Sequence, residues 1–77
     1  MEIMKAREIV VLNIKKLRLN LNLDEVEFGR RIGKTESFIK KLEQNKYTRE
    51  VNIELLSRIS NVYDIDIKDL FDGITIK

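Results

Sequence analysis

The stretch from Asp24 to Glu43 constrains the fold most strongly, because it contains two helix starts separated by a forced stop. Asp24 precedes EVEFGRRI and Thr35 precedes ESFIKKLE. Both side chains can accept hydrogen bonds from the free N–H groups of a first helical turn. Gly33 lies between the two runs, and glycine adopts the left-handed conformation without a Cβ clash. The sequence therefore predicts two short helices, over about 24–31 and 35–43, joined by a tight turn.

The second of these helices is expected to have two different faces. Ile39 and Leu42 share one face at helical spacing, which suits a buried side. The other face carries the small, polar and basic side chains Glu36, Ser37, Lys40 and Lys41. A short helix with this outer face and an apolar back has the geometry needed to read base edges in the major groove of duplex DNA.

The charge distribution favours the same interpretation. The net charge is only +2, but residues 30–49 hold seven bases and two acids, a net +5. Residues 1–29 are neutral, and residues 50–77 hold three bases and six acids, a net −3. Positive charge concentrated around the proposed reading helix is the pattern expected for phosphate contact. The alternative is a merely solvated basic face.

Composition argues against several other functions. The chain has no cysteine and no histidine, so it lacks thiolate metal ligands, disulfides and the commonest general base. We therefore expect no metal, no cofactor and no enzymatic activity. The run GRRIGKT, residues 29–35, has three residues between its glycines, whereas a phosphate-binding P-loop needs four.

Nothing in the sequence suggests a membrane protein. No apolar run approaches the ~20 residues of a membrane span, and the N-terminus MEIMKAREIVV carries acids and lacks the small-residue cleavage site of a secretory signal. We expect a cytoplasmic location.

The remaining segments also read as helices. A first helix is expected over about Met4–Asn20, with the apolar stripe Ala6, Ile9 or Val10, Ile14 and Leu17. Asn52 should cap a helix over 53–63, with the stripe Ile53, Leu56, Ile59 or Ser60, and Tyr63. Asp66 should cap a short last helix that Gly73 closes. Residues 47–51 read as a loop. The prediction is an all-α, five-helix bundle forming one domain over 1–77, with its core in 10–71.

Three runs carry a family resemblance: NIKKLR (13–18), LDEVEFGRRIGKTESFIKKLE (23–43) and NIELLSRISNVYDIDIKDLF (52–71). Together they resemble the Cro/repressor-type (Xre) helix-turn-helix DNA-binding family, with a lambda-repressor-like domain, over residues 10–71. The resemblance implies a five-helix domain that binds operator DNA as a two-fold dimer. It also implies that residues 35–43 form the recognition helix.

The resemblance also implies roles for individual residues. The positions that reach base edges are occupied here by Glu36, Ser37 and Lys41. The positions at the DNA backbone or groove wall are occupied by Glu25, Lys34, Thr35, Phe38, Lys40, Lys46, Tyr47 and Arg49. Arg18 and Glu43 match a structural pair that joins the first helix to the end of the recognition helix.

The chain departs from the family pattern at some of these positions. Glu25 stands where glutamine is usual, and an acid there repels phosphate. Glu36 places a second acid on the reading face, although a carboxylate can accept from cytosine N4. Gly29 replaces a usual alanine. The aromatic Phe38 is similar to that of small restriction–modification controllers, and it either packs against the second helix or touches DNA.

Two functions follow as hypotheses. The first is a transcriptional regulator, similar to a small phage repressor or a restriction–modification controller, that binds double-stranded DNA as a homodimer. Phe71, Ile74 and Ile76 are candidates for its dimer interface, because so small a bundle cannot bury every apolar side chain. The second is a protein-interaction module, an antitoxin or adaptor, whose acids have replaced DNA binding with a protein partner.

Overall fold

The computed structural model describes residues 4–46 and 48–73, and these residues contain helices and no strand. The four α-helices are α1 (Met4–Asn20), α2 (Glu25–Arg31), α3 (Glu36–Glu43) and α4 (Ile53–Tyr63). Two 3₁₀ helices span Thr48–Glu50 and Ile67–Phe71. The all-α prediction is confirmed, with two differences. The expected last helix is a 3₁₀ helix, and the segment expected to be a loop contains the 3₁₀ helix Thr48–Glu50. Tyr47, Ile74 and Ile76 lie outside the described residues.

The predicted helix starts are confirmed by their capping hydrogen bonds. Each cap accepts from the backbone N–H three residues further on: Asp24 from Glu27 at 2.8 Å, Thr35 from Phe38 at 3.1 Å, and Asn52 from Leu55 at 2.9 Å. Gly33 has a φ of +74°, which is the left-handed conformation that its place between α2 and α3 required. These local interactions fix where each helix begins.

Gly29 allows α2 and α3 to pack against each other very closely. A Cβ at this position would lie 2.8 Å from the carbonyl oxygen of Lys34 and 2.9 Å from Cγ1 of Ile39. The carbonyl of Gly29 also accepts a hydrogen bond from the backbone N–H of Lys34 at 2.8 Å. The turn therefore packs against α2 in the space that a side chain at position 29 would fill.

The core collects side chains from all four α-helices and from two connecting segments. Its buried apolar members are Val10, Val11, Ile14, Phe28, Ile32, Ile39, Leu42, Val51, Leu55, Leu56, Ile59 and Leu70. Val51, in the segment expected to be a loop, is buried. Val11 also belongs to the core, whereas Ala6, Ile9 and Leu17 of the expected α1 stripe are only partly buried.

Ile53 corrects the expected stripe of α4. Its side chain is 68% exposed, because Ile53 is the first residue of the helix and the buried face is formed by Leu55, Leu56 and Ile59. The other members of the expected stripe, Leu56, Ile59 and Tyr63, do lie in or against the core, and Leu55 joins them.

Two long-range contacts hold the elements around this core. The Tyr63 hydroxyl at the end of α4 donates to the carbonyl of Phe28 at 2.9 Å, and the two rings stack with centroids 4.8 Å apart. Asn13 of α1 donates to the carbonyls of Leu70 and Asp72, each at 2.9 Å. Tyr63 therefore joins α4 to α2, and Asn13 joins α1 to the last 3₁₀ helix.

Candidate nucleic-acid interface

The outer face of α3 is an open polar surface. Glu36, Ser37, Lys40, Lys41 and Gln44 line a shallow depression on it, and all five are exposed. On the opposite face, Ile39 and Leu42 are fully buried. The structure therefore brings the predicted base-reading residues together on one accessible surface. Sequence reasoning missed Gln44, although its helical spacing of three from Lys41 and four from Lys40 places it on this face.

Glu36 and Lys40 form an ion pair on this surface. The Nζ atom of Lys40 lies 3.1 Å from Oε2 of Glu36, one turn earlier. The hydrogen bond to Glu36, followed by its charge, raises the pKa of Lys40 above its ordinary value. Part of the positive charge of α3 is therefore shared with Glu36 in the protein alone.

Lys34, Thr35 and Phe38 are neighbours at the N-terminal end of α3. Thr35 caps the helix through its side-chain oxygen. The Phe38 ring is half-buried and packs against the core, and the Nζ atom of Lys34 lies 4.7 Å from its centroid. The sequence left two alternatives for Phe38, packing inside the protein or contact with DNA. In the protein without DNA, the ring packs against the core. The Lys34 ammonium thus lies within cation–π distance of the ring, beside the exposed face of α3.

Arg18 and Glu43 are brought together beneath α3. Nε and Nη2 of Arg18 donate to the two carboxylate oxygens of Glu43, at 2.7 and 3.0 Å. Nη1 donates to the carbonyl of Leu23 at 2.9 Å. The hydrogen bonds to Glu43 raise the pKa of Arg18 above its ordinary value.

Glu25, at the first position of α2, belongs to the same charge group. Its Oε2 lies 3.8 Å from Nη2 of Arg18, and the side chain is only partly exposed. This arrangement draws the Glu25 carboxylate toward a cation inside the protein. The negative charge of Glu25, which the sequence predicted to lie near phosphate, is thus partly balanced by Arg18.

Arg30 and Arg31 are less available to a partner than the sequence suggested. Both guanidinium groups hydrogen-bond to Glu27 of the same helix. The bond from Arg30, then that from Arg31, lowers the pKa of Glu27 to about 2. Because Glu27 lies just before residues 30–49, the net charge of +5 for that segment overstates the positive charge that it presents.

Arg58 of α4 is a further residue that sequence reasoning missed. Its Nη1 donates to the carbonyl of Ile32 at 3.2 Å, immediately before the turn glycine. The partners are 26 residues apart in the chain, so no local pattern could have indicated the contact. Arg58 supports the turn between α2 and α3 from the side of α4.

The segment after α3 places two further predicted residues at the surface. Asn45 has a φ of +62° and turns the chain at the end of the helix, and Lys46 follows it in an exposed position. Arg49 is exposed within the first 3₁₀ helix. Tyr47, between them, is outside the described residues.

The described part of the chain has no group of three or more acidic side chains that could hold a metal ion. Within the same residues, no helix is long and apolar enough to cross a membrane.

Comparison with known families assigns the class of the protein. The chain matches the sequence profile of the helix-turn-helix family over residues 14–70, which includes α2, the turn and α3. It belongs to the Cro/repressor-type (Xre) helix-turn-helix family. It is therefore a DNA-binding regulatory protein in general terms. Searches of curated proteins and of solved structures gave no match.

Proposed function

We propose that this protein is a sequence-specific transcriptional regulator that binds a two-fold operator as a homodimer, with α3 in the major groove. The observation that carries the proposal is the exposed polar face of α3, which is fixed to the core by Ile39 and Leu42. A rigid helix that presents short polar and long basic side chains can enter the groove and bond to base edges.

The contacts divide into two groups. Glu36, Ser37 and Lys41 read bases: the carboxylate accepts from cytosine N4, the hydroxyl bonds to either kind of group, and the ammonium donates to guanine. The positioning contacts to phosphate or to the groove wall involve Glu25, Lys34, Thr35, Phe38, Lys40, Lys46, Tyr47 and Arg49. Cations in the second group supply salt-dependent affinity, and the first group supplies selectivity.

Selection from a random duplex pool tests this function directly. At about 0.15 M salt, sequencing of the bound fraction should reveal an inverted repeat. Its half-site centres should lie about 34 Å, or one helical turn, apart. A folded protein that enriches no sequence would contradict the proposal.

A matched pair of charge reversals makes the test specific to α3. Lys41→Glu should abolish enrichment, because it places an acid among the base-reading residues. Lys68→Glu makes the same change of charge at a side chain 84% exposed on the last 3₁₀ helix, and it should enrich the same repeat as the wild type. Equal loss in both variants would indicate that only total charge matters.

The alternative, a protein-interaction module such as an antitoxin or adaptor, is favoured by one observation. Glu36 pairs with Lys40 on the exposed face of α3, and Glu25 is a second acid at a position proposed to meet phosphate. If repulsion suppresses DNA binding, Glu25→Gln combined with Glu36→Gln should raise DNA affinity sharply. No gain in affinity by a variant that binds the operator would argue that the two acids take part in normal operator binding.

A further inference from the structure

The side chains of Glu36 and Lys40 are held together on the exposed face of α3. They are one helical turn apart, and Oε2 of Glu36 lies 3.1 Å from Nζ of Lys40. The acid precedes the base by four residues, which is the more favourable order for such a pair on a helix. The two side chains are 47% and 52% exposed, so a partner that contacts α3 meets the pair rather than two separate charges.

Glu36 needs this partner if α3 enters the major groove. Glu36 is the first residue of α3, and the N-terminal part of a recognition helix is the part that contacts the bases. A bare carboxylate at this position is repelled by the phosphates that line the groove. When Glu36 is paired with Lys40, the same carboxylate enters the groove without net charge.

The ion pair leaves Glu36 able to read a base. Lys40 engages Oε2, and a carboxylate has a second oxygen with lone pairs of its own. That oxygen, Oε1, can accept a hydrogen bond from N4 of cytosine, which is the contact by which an acid reads a base in the major groove. The pair also restricts the rotamers of Glu36, so less conformational entropy is lost when the base is bound.

A second acid acts on Lys40 from α2. The hydrogen bond and the charge of Glu36 raise the pKa of Lys40 above its ordinary value, and the charge of Glu25 raises it further. Lys40 therefore interacts with acids of both α2 and α3. These interactions favour a position of the ammonium beside the protein's own carboxylates over a position at a phosphate.

We infer that Lys40 is a positioning residue for base readout, which holds and neutralises the Glu36 carboxylate so that the pair selects cytosine at one base pair of the half-site. The inference rests on the proposed function and refines it, because Lys40 acts through Glu36 rather than through a phosphate. An exposed ion pair is weak in water. This one gains strength when DNA displaces the surrounding water, because charges interact more strongly at a lower dielectric constant.

Base profiles from selected duplexes test this role. Glu36→Gln first identifies the base pair concerned, because the preference there should change from cytosine toward adenine, which an amide reads. Lys40→Met removes the ammonium, keeps an apolar stem, and should reduce discrimination at that same base pair about 10-fold. Lys40→Arg can still pair with Glu36 and should keep the cytosine preference.

Lys46→Met is the matched control, since it removes one exposed lysine just after α3 and leaves the ion pair intact. It should weaken all duplexes alike and lower the salt slope by about one unit, with every base preference unchanged. In the Glu36→Gln background, Lys40→Met should not alter the base preferences, because the carboxylate that Lys40 positions is gone. If Lys40→Met matches Lys46→Met in both profile and slope, the inference is overturned.

A measurement without DNA tests the ion pair itself. In an NMR titration of the Lys40 side chain, Glu36→Gln should lower the pKa of the ammonium. Glu54→Gln, which removes an acid that faces Arg58 instead, should leave that pKa unchanged. A Lys40 pKa that Glu36→Gln does not move would overturn the inference and leave the DNA-binding proposal standing. A wild type that enriches no sequence would instead reject the proposed function, and the readout role with it.

Discussion

Arg18 of α1 and Glu43, the last residue of α3, form a two-point ion pair with N–O distances of 2.7 and 3.0 Å. Their side chains are only 9% and 6% exposed. The third arm of the guanidinium holds the carbonyl of Leu23, just before α2 begins. One side chain thus joins the first helix to both ends of the helix-turn-helix, and removing it would leave a carboxylate without its partner in a nearly dry site.

Arg18→Met should lower the free energy of unfolding by about 3 kcal/mol, because the buried side chain of Glu43 would lose its partner. The double variant Arg18→Met/Glu43→Leu should recover most of this loss. Urea denaturation followed by circular dichroism measures both. Arg30→Met removes an exposed partner of Glu27 and should cost no more than about 1 kcal/mol. Equal costs for Arg18→Met and Arg30→Met would refute the buried-pair argument.

Lys41→Ala should weaken binding to the selected repeat by about 1–3 kcal/mol and relax the preference at one base pair. The physical reason is the loss of the donor that we propose reaches a base edge from the exposed face of α3. Binding-site profiles of wild type and variant provide the comparison. An unchanged profile would remove Lys41 from the base-reading group.

Lys46→Ala should behave differently, because Lys46 is exposed after α3 and is proposed to meet phosphate. All duplexes should be bound more weakly by a similar factor. The slope of log affinity against log salt should decrease by about one unit. A salt titration with the wild-type slope would argue that Lys46 releases no counterion on binding.

Gly29→Ala should destabilise the protein, although alanine is the better helix former by about 1 kcal/mol. The added methyl would lie 2.8 Å from the Lys34 carbonyl and 2.9 Å from Ile39, and such overpacking costs about 1–3 kcal/mol. We expect a net loss of about 1 kcal/mol in thermal or urea unfolding. Asn61→Ala, at an exposed position of α4, should instead be neutral or slightly stabilising. A gain in stability for Gly29→Ala would show that α2 and α3 separate easily.

The Glu27 carboxylate should remain ionised to unusually low pH. Its pKa in the folded chain is about 2, against an ordinary value of 4.5, because Arg30 and Arg31 bind the ionised form. Its contribution to stability is therefore complete above about pH 4.5 and is lost as the pH falls toward 2. NMR titration of the carboxyl carbon measures this directly. Arg30→Gln/Arg31→Gln should return the pKa toward 4.5, and an unchanged midpoint would exclude the arginines as the cause.

The features predictable from sequence were those determined by neighbouring residues. Asp24, Thr35 and Asn52 cap their helices through bonds spanning three residues, and Gly33 adopts the conformation that its turn demands. Glu27 shows that such a local signal can be overlooked, since its arginine partners lie three and four residues further on. The outward side of α3 followed from helical period alone.

What could not be predicted depends on how distant segments pack. The contact of Arg58 with Ile32 spans 26 residues, and that of Tyr63 with Phe28 spans 35. Ile53 has the right residue type and spacing for a core stripe, yet the start of α4 turns it outward. Ile53 is exposed and Leu55 and Leu56 are buried because of the way α4 packs on the other helices. The sequence of α4 alone does not determine this packing.

The stack of Tyr63 on Phe28 gives this protein a built-in optical reporter. The chain has two tyrosines and no tryptophan, so Tyr63 alone would produce the tyrosine signal of a Tyr47→Phe variant. Its hydroxyl is bound to the backbone of α2, and burial raises the pKa of the phenol above its ordinary value. The alkaline absorbance titration and the near-ultraviolet circular dichroism of this one ring therefore report whether α2 is packed against α4, without any attached dye.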